Sequence, residues 1–432
     1  MVRDIERRDF LKGVSVAGIA GLAGCTGGGG DGTETSTPTD GGGGDDMTET
    51  DSGGGGMSRD NPVRVGVLMP ETGDLSSVGV PIRDGALLPA VQLEGETDFT
   101  IETQVADTQT DPQAGISAAE NLVNSGFPAI TGPASSGVNL QVTRQVLIPS
   151  GVVGCSPSST SPNVTTLEDN DLIFRTPPSD ALQGQVIAQV GSDELDASTA
   201  ATMYVNNDYG QALSDAFGES FSGEVANAVS FEKEQPSYTS RLETALQNDP
   251  DMLVVIGYPA SGIQLFRDYY NDFDSGVDIV VTDGLKDPEL PGEVGSNMSN
   301  VIGTAPTAAG PGREFFTNLY QEEYGSEPGV FTSQAYDATA VLILANVAAG
   351  ENTGTAIRDN LRAVANPEGE QYGPESLADA VAAVAAGEEI NYVGASSPVD
   401  FDENGDMQAV TYEIFGFTSD GVETQRTIDF GG

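Results

Sequence analysis

The chain of 432 residues carries 66 acidic against 17 basic side chains, a formal charge of −49, with 38% apolar residues and no histidine. Such a charge repels nucleic acid and anionic lipid, so neither is a partner, and the missing imidazole excludes Ser-His-Asp and Cys-His catalysis and histidine-ligated metals. The length suffices for two lobes with separate cores, and the regular apolar periodicity excludes a disordered acidic chain.

With Lys12, Lys233 and Lys286 the only lysines, the uniformly acidic composition reads as an adaptation to high salt, where screening within a few ångströms removes self-repulsion. Residues 1–25 hold Arg7-Arg8 in an R-R-x-F-L-K pattern, an apolar run too short for a permanent membrane span, and Leu22-Ala23-Gly24-Cys25. These resemble a twin-arginine export signal and a lipobox, which implies cleavage before Cys25 and a lipid anchor on its sulfur. Residues 26–60, with three GGGG runs among Thr, Ser, Asp and Glu, form a flexible spacer that tethers a folded body to the outer face of the membrane.

Globular sequence begins at Pro62. A strand is predicted at 63–69, then a loop to 79, a helix at 80–94, a strand at 99–106, and a helix at 112–126 opened by Asp111-Pro112. The next stretch gives a strand at 129–132, a Ser/Gly turn at 133–137, a helix at 138–148, a strand at 152–155 and a hydroxyl-rich turn at 156–161. Strands at 172–175, 200–205, 228–231, 252–257 and 277–283 then alternate with helices at 179–193, 208–222, 237–248 and 261–274, and an apolar helix lies at 333–349. Near-continuous βα repetition predicts an α/β fold of parallel sheets covered on both faces. There are too many strands for one such sheet, so two doubly wound lobes are expected. Lobe 1 comprises 61–176 plus about 300–350, and lobe 2 comprises 177–299 plus about 351–432.

Two strands thus end on the same edge in turns rich in hydroxyls and free amides, at Ser135, Ser136, Ser158 and Thr160. In open α/β sheets ligands bind beyond the carboxyl ends of strands, and such turns can hold an anionic head, so the pattern points to a receptor for a small molecule. Helix capping is the bland alternative for these side chains. No phosphate-cradling loop, dinucleotide fingerprint or nucleophile elbow is present, and no carboxylate pair stands out, so the chain is not read as an enzyme and no cofactor is expected.

The ordered set PETGDLSSVGVPIRDGA (70–86), DTQTDPQAG (107–115), TGPASSGVN (131–139), CSPSSTSP (155–162), FRTPPSDALQGQ (174–185), NNDYGQAL (206–213), SQAYDATAVLILA (333–345) and VDFDENGD (399–406) carries a resemblance. It resembles the branched-chain amino-acid type, Leu/Ile/Val receptor-like, of ABC-transporter substrate-binding proteins, which are type I periplasmic binding proteins; here the body sits in a haloarchaeal-like lipoprotein. The resemblance covers the whole mature body. It implies two lobes on a multi-strand hinge that close on an amino acid and present it to a membrane permease, or to a sensory partner. It further implies that Ser135, Ser136, Ser158 and Thr160 hold the ligand carboxylate and that Tyr209 closes over it from the second lobe.

The family commonly places a Glu after a GYP-type turn to meet the ligand's ammonium. Here Gly257-Tyr258-Pro259 is followed by Ala260, so Asp283 is the alternative ammonium partner and Tyr258 a further ligand-facing candidate. The aromatic often found at the position of Val78 is also missing, which keeps amides, urea-like compounds and short organic acids open as ligands. Asp400 to Gly405 imitates the start of a calcium loop, but its twelfth position is Thr411, so no metal is expected. Cys155 is read as a buried strand thiol, Asn163 and Asn297 as glycosylation sequons, and Tyr336-Asp337 as packing near the hinge.

Overall fold

In a computed structural model the described residues are 61–273, 276–366, 368–418 and 421–430. The signal residues Arg7 and Arg8, the lipidation site Cys25 and the whole spacer 26–60 lie outside them. The described residues form one unit, built on two mainly parallel sheets.

The first sheet has the order β2-β1-β3-β4-β5, from β1 (Val63–Met69), β2 (Ile101–Asp107), β3 (Ala129–Thr131), β4 (Val153–Ser156) and β5 (Ile173–Arg175), all parallel. Its central strands are buried on both faces, which is why they read as unbroken apolar runs rather than as alternation. Asp111 caps the helix Pro112–Asn124 by accepting from the N–H groups of Gln113 and Ala114, both at 2.9 Å, and proline occupies the first turn, where its missing N–H costs nothing.

The second sheet runs β14-β13-β10-β9-β8-β6-β7. It comprises β6 (Thr199–Val205), β7 (Glu224–Phe231), β8 (Met252–Ile256), β9 (Asp278–Val281) and β10 (Val301–Pro306), parallel to one another, and the antiparallel hairpin β13 (Val410–Thr418) and β14 (Gly421–Phe430). β10 and the hairpin extend the sheet beyond the last strand expected from the sequence. The pair β11 (Glu370–Tyr372) and β12 (Ile390–Tyr392) stands apart as a two-stranded sheet.

The lobes divide differently from the expectation. The chain leaves the first sheet after β5, near 176, and returns after β10, near 307. The helix Thr332–Ala349 is buried all round from 332 to 347 and packs on β1, β3 and β4, which suits a helix with no polar face. The segment from 351 to about 402 does not pass to the second lobe: helix Gly354–Ala365 packs on that buried helix and on β4, and helix Leu377–Ala385 packs on it as well. Only the hairpin β13–β14 crosses back, so the third crossing falls between about 402 and 410 rather than near 350. The reason is local. Ile357, Leu361 and Val364 form one apolar stripe on Gly354–Ala365, and the apolar surface that covers it belongs to the first lobe. The crossings also touch: Thr307 N–H donates to Thr411 O at 2.9 Å and Ala309 N–H to Ser396 O at 2.8 Å.

Candidate ligand-binding site

β1 in the first sheet and β6 in the second each lie between strands that continue in opposite directions along the sheet, and at such switch points the loops beyond the strand ends part to leave a crevice. The two crevices face one another. Between them lies a cleft with about 310 Å³ of empty space, lined from the first lobe by Leu75, Val78, Ile82, Ala134, Ser135, Ser136, Ser158 and Phe331 and from the second by Tyr209, Tyr258, Asp283 and Gly284. Like small-molecule sites, it has an apolar wall and a few convergent polar groups.

Six of the seven residues singled out from sequence meet there. Ser135 Oγ lies 3.0 Å from the Tyr258 hydroxyl, which also accepts from Asn207 Nδ2 at 3.1 Å, so one phenol joins the first lobe to the loop after β6. The rings of Tyr209 and Tyr258 stack at 5.7 Å with 12° between planes. The Tyr209 hydroxyl donates to Asp283 Oδ1 at 3.2 Å and lies 2.8 Å from Thr282 Oγ1. Ser136 Oγ accepts from Ser161 N at 3.3 Å, and Ser158 Oγ donates to Ala134 O at 3.2 Å, which ties the two hydroxyl-rich turns together.

Thr160 is the exception. It does not line the cleft but sits one layer behind it, fully buried, with its hydroxyl unpartnered among the described residues and its carbonyl accepting from Asp180 N at 2.8 Å. The turn is threaded by Arg175 at the end of β5. This side chain is fully buried and donates to the carbonyls of Ser159 (3.2 Å), Thr160 (2.9 Å) and Ser161 (2.9 Å) while pairing with Asp406 at 2.6 and 2.7 Å. A guanidinium can serve so many acceptors because its five donors lie in one plane. Asp406 thus completes the binding turn instead of a calcium loop; Asp402 beside it is satisfied by the N–H groups of Asn404 and Asp406. Among the described residues no group of three or more His, Cys, Asp or Glu is arranged to hold a metal ion.

Ala260 is exposed and does not line the cleft. The acid that lines the cleft is Asp283. Burial pushes its carboxyl up to about 6, although Gln183 and the Tyr209 hydroxyl favour the charged form. Behind it stands Asp180, raised well above the carboxylate range first by burial and then by the charge of Asp283. This carboxylate pair was not legible in the sequence, its members being separated by four strands; the helix Asp180–Asp193 and the end of β9 bring them together. Phe331, Leu75 and Ile82 were missed for the same reason, since apolar residues at loop and helix positions carry no mark of facing a ligand. Phe331 holds a left-handed backbone, φ 63°, a strained conformation for an aromatic residue and the kind of local cost that collects at ligand sites.

Further contacts hold the lobes shut. Asp74 accepts from Ser261 N at 2.7 Å and from its hydroxyl at 2.9 and 2.8 Å, and Ser77 Oγ donates to Asp287 at 2.6 Å. Lys233 donates to the Thr110 carbonyl. Tyr336 and Asp337 are buried; Asp337 accepts from the Tyr392 hydroxyl and from the N–H groups of Ala395 and Ser396, a packing role. Cys155 is a buried thiol, and Asn163 and Asn297 are exposed.

Two lobes on a threefold crossing, with a cleft between the carboxyl edges of two parallel sheets, define a solute-binding protein of the type I periplasmic binding fold. The chain belongs to the periplasmic binding protein family, whose family model matches residues 62–374; it is a binding protein and not an enzyme. It is 27% identical over 383 residues to the chemotactic signal transduction system substrate-binding protein BasB of Halobacterium salinarum, covering 86% of this chain and 90% of that one. It is 25% identical over 319 residues to the Leu/Ile/Val-binding protein BraC3 of Rhizobium johnstonii, covering 69% of this chain and 83% of that one. The crystal structure of the leucine binding protein LivK of Thermotoga maritima superposes with a TM-score of 0.72 at 24% identity, over 85% of this chain and 98% of that one. Among the described residues no helix is long and apolar enough to cross a membrane.

Proposed function

We propose that the protein captures an amino acid, most simply one with a branched aliphatic side chain, by closure of its lobes and delivers it to the permease of an ABC importer. The observation that carries this reading is the placing of hydroxyl-rich turns opposite a buried acid across one apolar cleft. Ser135, Ser136 and Ser158, with the N–H groups of the helix that Ser136 opens, receive the carboxylate; Asp283 receives the ammonium; Leu75, Val78, Ile82 and Phe331 cover the side chain. Thr160 supports the turn from behind. Tyr209 and Tyr258 come from the second lobe, so the ligand gains their contacts only on closure, and that differential contact is what drives the closed state. The likeness to a Leu/Ile/Val-binding relative supports the ligand class.

The N-terminal segment complements this role. Export through a twin-arginine signal at Arg7-Arg8 and lipidation of Cys25 would anchor the body outside the membrane by the spacer 26–60. The likeness to a chemotactic substrate-binding protein favours a second reading, in which the closed form addresses a sensory transducer. Genes for a permease and ATPase beside this one support import, and a transducer gene there supports sensing.

The ligand is tested by a thermal-shift screen in molar salt against amino acids, amides, urea and short organic acids, since a ligand that binds only the folded form raises the melting temperature by mass action. Leu, Ile or Val is expected to give the shift. A shift with amides or plain acids alone would overturn the assignment of Asp283 to an ammonium.

A further inference from the structure

We propose that Asp180 is a positioning residue of the ligand site, held as the neutral acid behind Asp283, so that the closed cleft presents one negative charge and selects a ligand with one positively charged head. This rests on the reading of Asp283 as the group that meets an ammonium.

Asp180 is completely buried, and neither of its carboxyl oxygens has a hydrogen-bond donor among the described residues. A buried carboxylate without a single donor is a state proteins do not maintain, because nothing replaces the lost water. One helical turn further on, Gln183 donates its amide to Thr304 O at 2.9 Å and to Thr304 Oγ1 at 3.2 Å, while its own carbonyl oxygen is left without a donor. Among the described residues the Thr160 hydroxyl, in the turn whose carbonyl accepts from the Asp180 N–H, is the donor near enough to favour the charged form, but it closes no hydrogen bond to either carboxyl oxygen, and burial and Asp283 outweigh it. Two acceptors without a donor, the Asp180 carboxyl and the Gln183 carbonyl oxygen, therefore lie one turn apart on the same helix. A proton on Asp180 supplies the missing donor, and Gln183 is placed to accept it, three residues along the same helix face.

The charged and titratable groups facing Asp180 come from every neighbouring element. Arg175 on β5 is committed to Asp406 and three carbonyls. Tyr412 on β13 donates to Ser179 O at 3.1 Å. Tyr209 donates to Asp283, and Asp283 itself adds only repulsion. Lys286, three residues beyond Asp283, is paired with Glu413. Among the described residues only Arg175, already paired with Asp406, acts on Asp180 as a cation, and no uncommitted cation faces the pair.

The pair thus holds one proton and one negative charge, and the proton resides on the member farther from the cleft. An ammonium entering beside Asp283 neutralises the cleft. A plain carboxylic acid would add a second anion, and a neutral amide would leave the charge uncompensated. With Asp180 ionised, a single ammonium would fall short of balance.

The test compares wild type, Asp180→Asn and Asp180→Ala in molar salt at neutral pH. Infrared difference spectra of the ligand-free protein are expected to show a protonated carboxylic C=O band that Asp180→Asn removes. Calorimetry with L-leucine is expected to show a loss of about tenfold or more in Asp180→Ala, most of it restored in Asp180→Asn, because Asn supplies a donor but no charge. An unchanged infrared spectrum, or an Asn variant as weak as the Ala variant, overturns the proposal, since either result means that Asp180 acts as a carboxylate. If L-leucine fails to bind the wild type, the ligand assignment falls, and the infrared comparison still decides the protonation of Asp180.

Discussion

Arg175 offers a direct test of how the binding turn is built. Its guanidinium, with no exposure to solvent, serves Asp406, Thr165 Oγ1 at 2.8 Å and three successive turn carbonyls. Replacement by Met keeps most of the apolar stem but leaves Asp406 as a largely buried charge and Ser159 to Ser161 with unpaired carbonyls. Breaking a buried pair from one side costs about 3–5 kcal/mol. For a lobe of roughly 200 residues each kcal/mol lowers the melting temperature by about 2–4 °C, so Arg175→Met is expected to melt at least about 6 °C below wild type in molar salt. Removing both charges, as in Arg175→Met with Asp406→Leu, is expected to recover part of that loss, because the stranded carboxylate disappears. Scanning calorimetry of the three proteins measures it. A single variant that melts with wild type, or a double variant less stable than the single one, would refute the account of Arg175 as the clamp of the turn.

Other expectations follow from particular contacts. Tyr258→Phe keeps the ring stack with Tyr209 but removes the hydroxyl that reaches Ser135 in the other lobe; that one neutral hydrogen bond, at about 1 kcal/mol, shifts the closed-to-open ratio by roughly fivefold. Small-angle scattering of the ligand-free variant should show the wider, open form, and an unchanged profile speaks against the bridge. Gly303→Ala would place its methyl carbon 1.9 Å from the buried Phe415 ring, an overpacking worth about 1–3 kcal/mol, readable as a lowered urea midpoint. Asp74, Asp283 and Asp337 titrate near 6 because burial penalises the ionised form. The native state therefore holds protons that the unfolded chain has released between about pH 4 and 6, so stability rises as pH falls through that window, by up to about 3 kcal/mol per group. Asp251, held near 2 by the hydroxyl and N–H of Ser198, works in the opposite sense, but only below that window. A melting temperature that falls steadily from pH 7.5 to 5 at fixed salt would contradict these assignments.

How much of this was legible in the sequence depends on whether the signal was local. Strand 63–69, the Asp111-Pro112 helix start and the run MLVVI at 252–256 reappear nearly unshifted, since a buried parallel strand and a helix cap each write their reason into a few adjacent residues. The helix expected from 80 begins at Ser76, because the Thr72-Gly73 turn ends sooner than its small residues suggest. The lobe boundary at 350 failed because it is decided by which surface covers Ile357, Leu361 and Val364, a tertiary fact that no period encodes. Ser135, Ser136, Ser158 and Asp283 were picked out by their place after strands, and Tyr209 and Tyr258 by family motifs; Thr160, in the same turn as Ser158, lies outside the cleft, with its carbonyl held by Arg175.

The acids show most sharply where sequence reading ends. In a chain with 66 of them, a carboxylate is ordinarily a solvated surface charge, and Asp180 and Asp283 are indistinguishable by composition from Asp196 or Asp249. What separates them is desolvation. Asp196 and Asp249 lie exposed on the second lobe in an acid-lined groove, where salt screens them and water satisfies them. Asp283 lines the cleft and Asp180 is buried behind it, where screening is weak because the closed lobes shut out both water and salt. A surface evolved to tolerate negative charge therefore says nothing about charge in the cleft, and the ligand's head group is set there by two residues whose environment, rather than identity, distinguishes them. It follows that ligand preference should hold as salt is varied over a range that leaves the fold intact, while the melting temperature changes strongly; affinity for L-leucine that tracked the melting temperature across that range would place Asp283 in contact with bulk solvent and undo the argument.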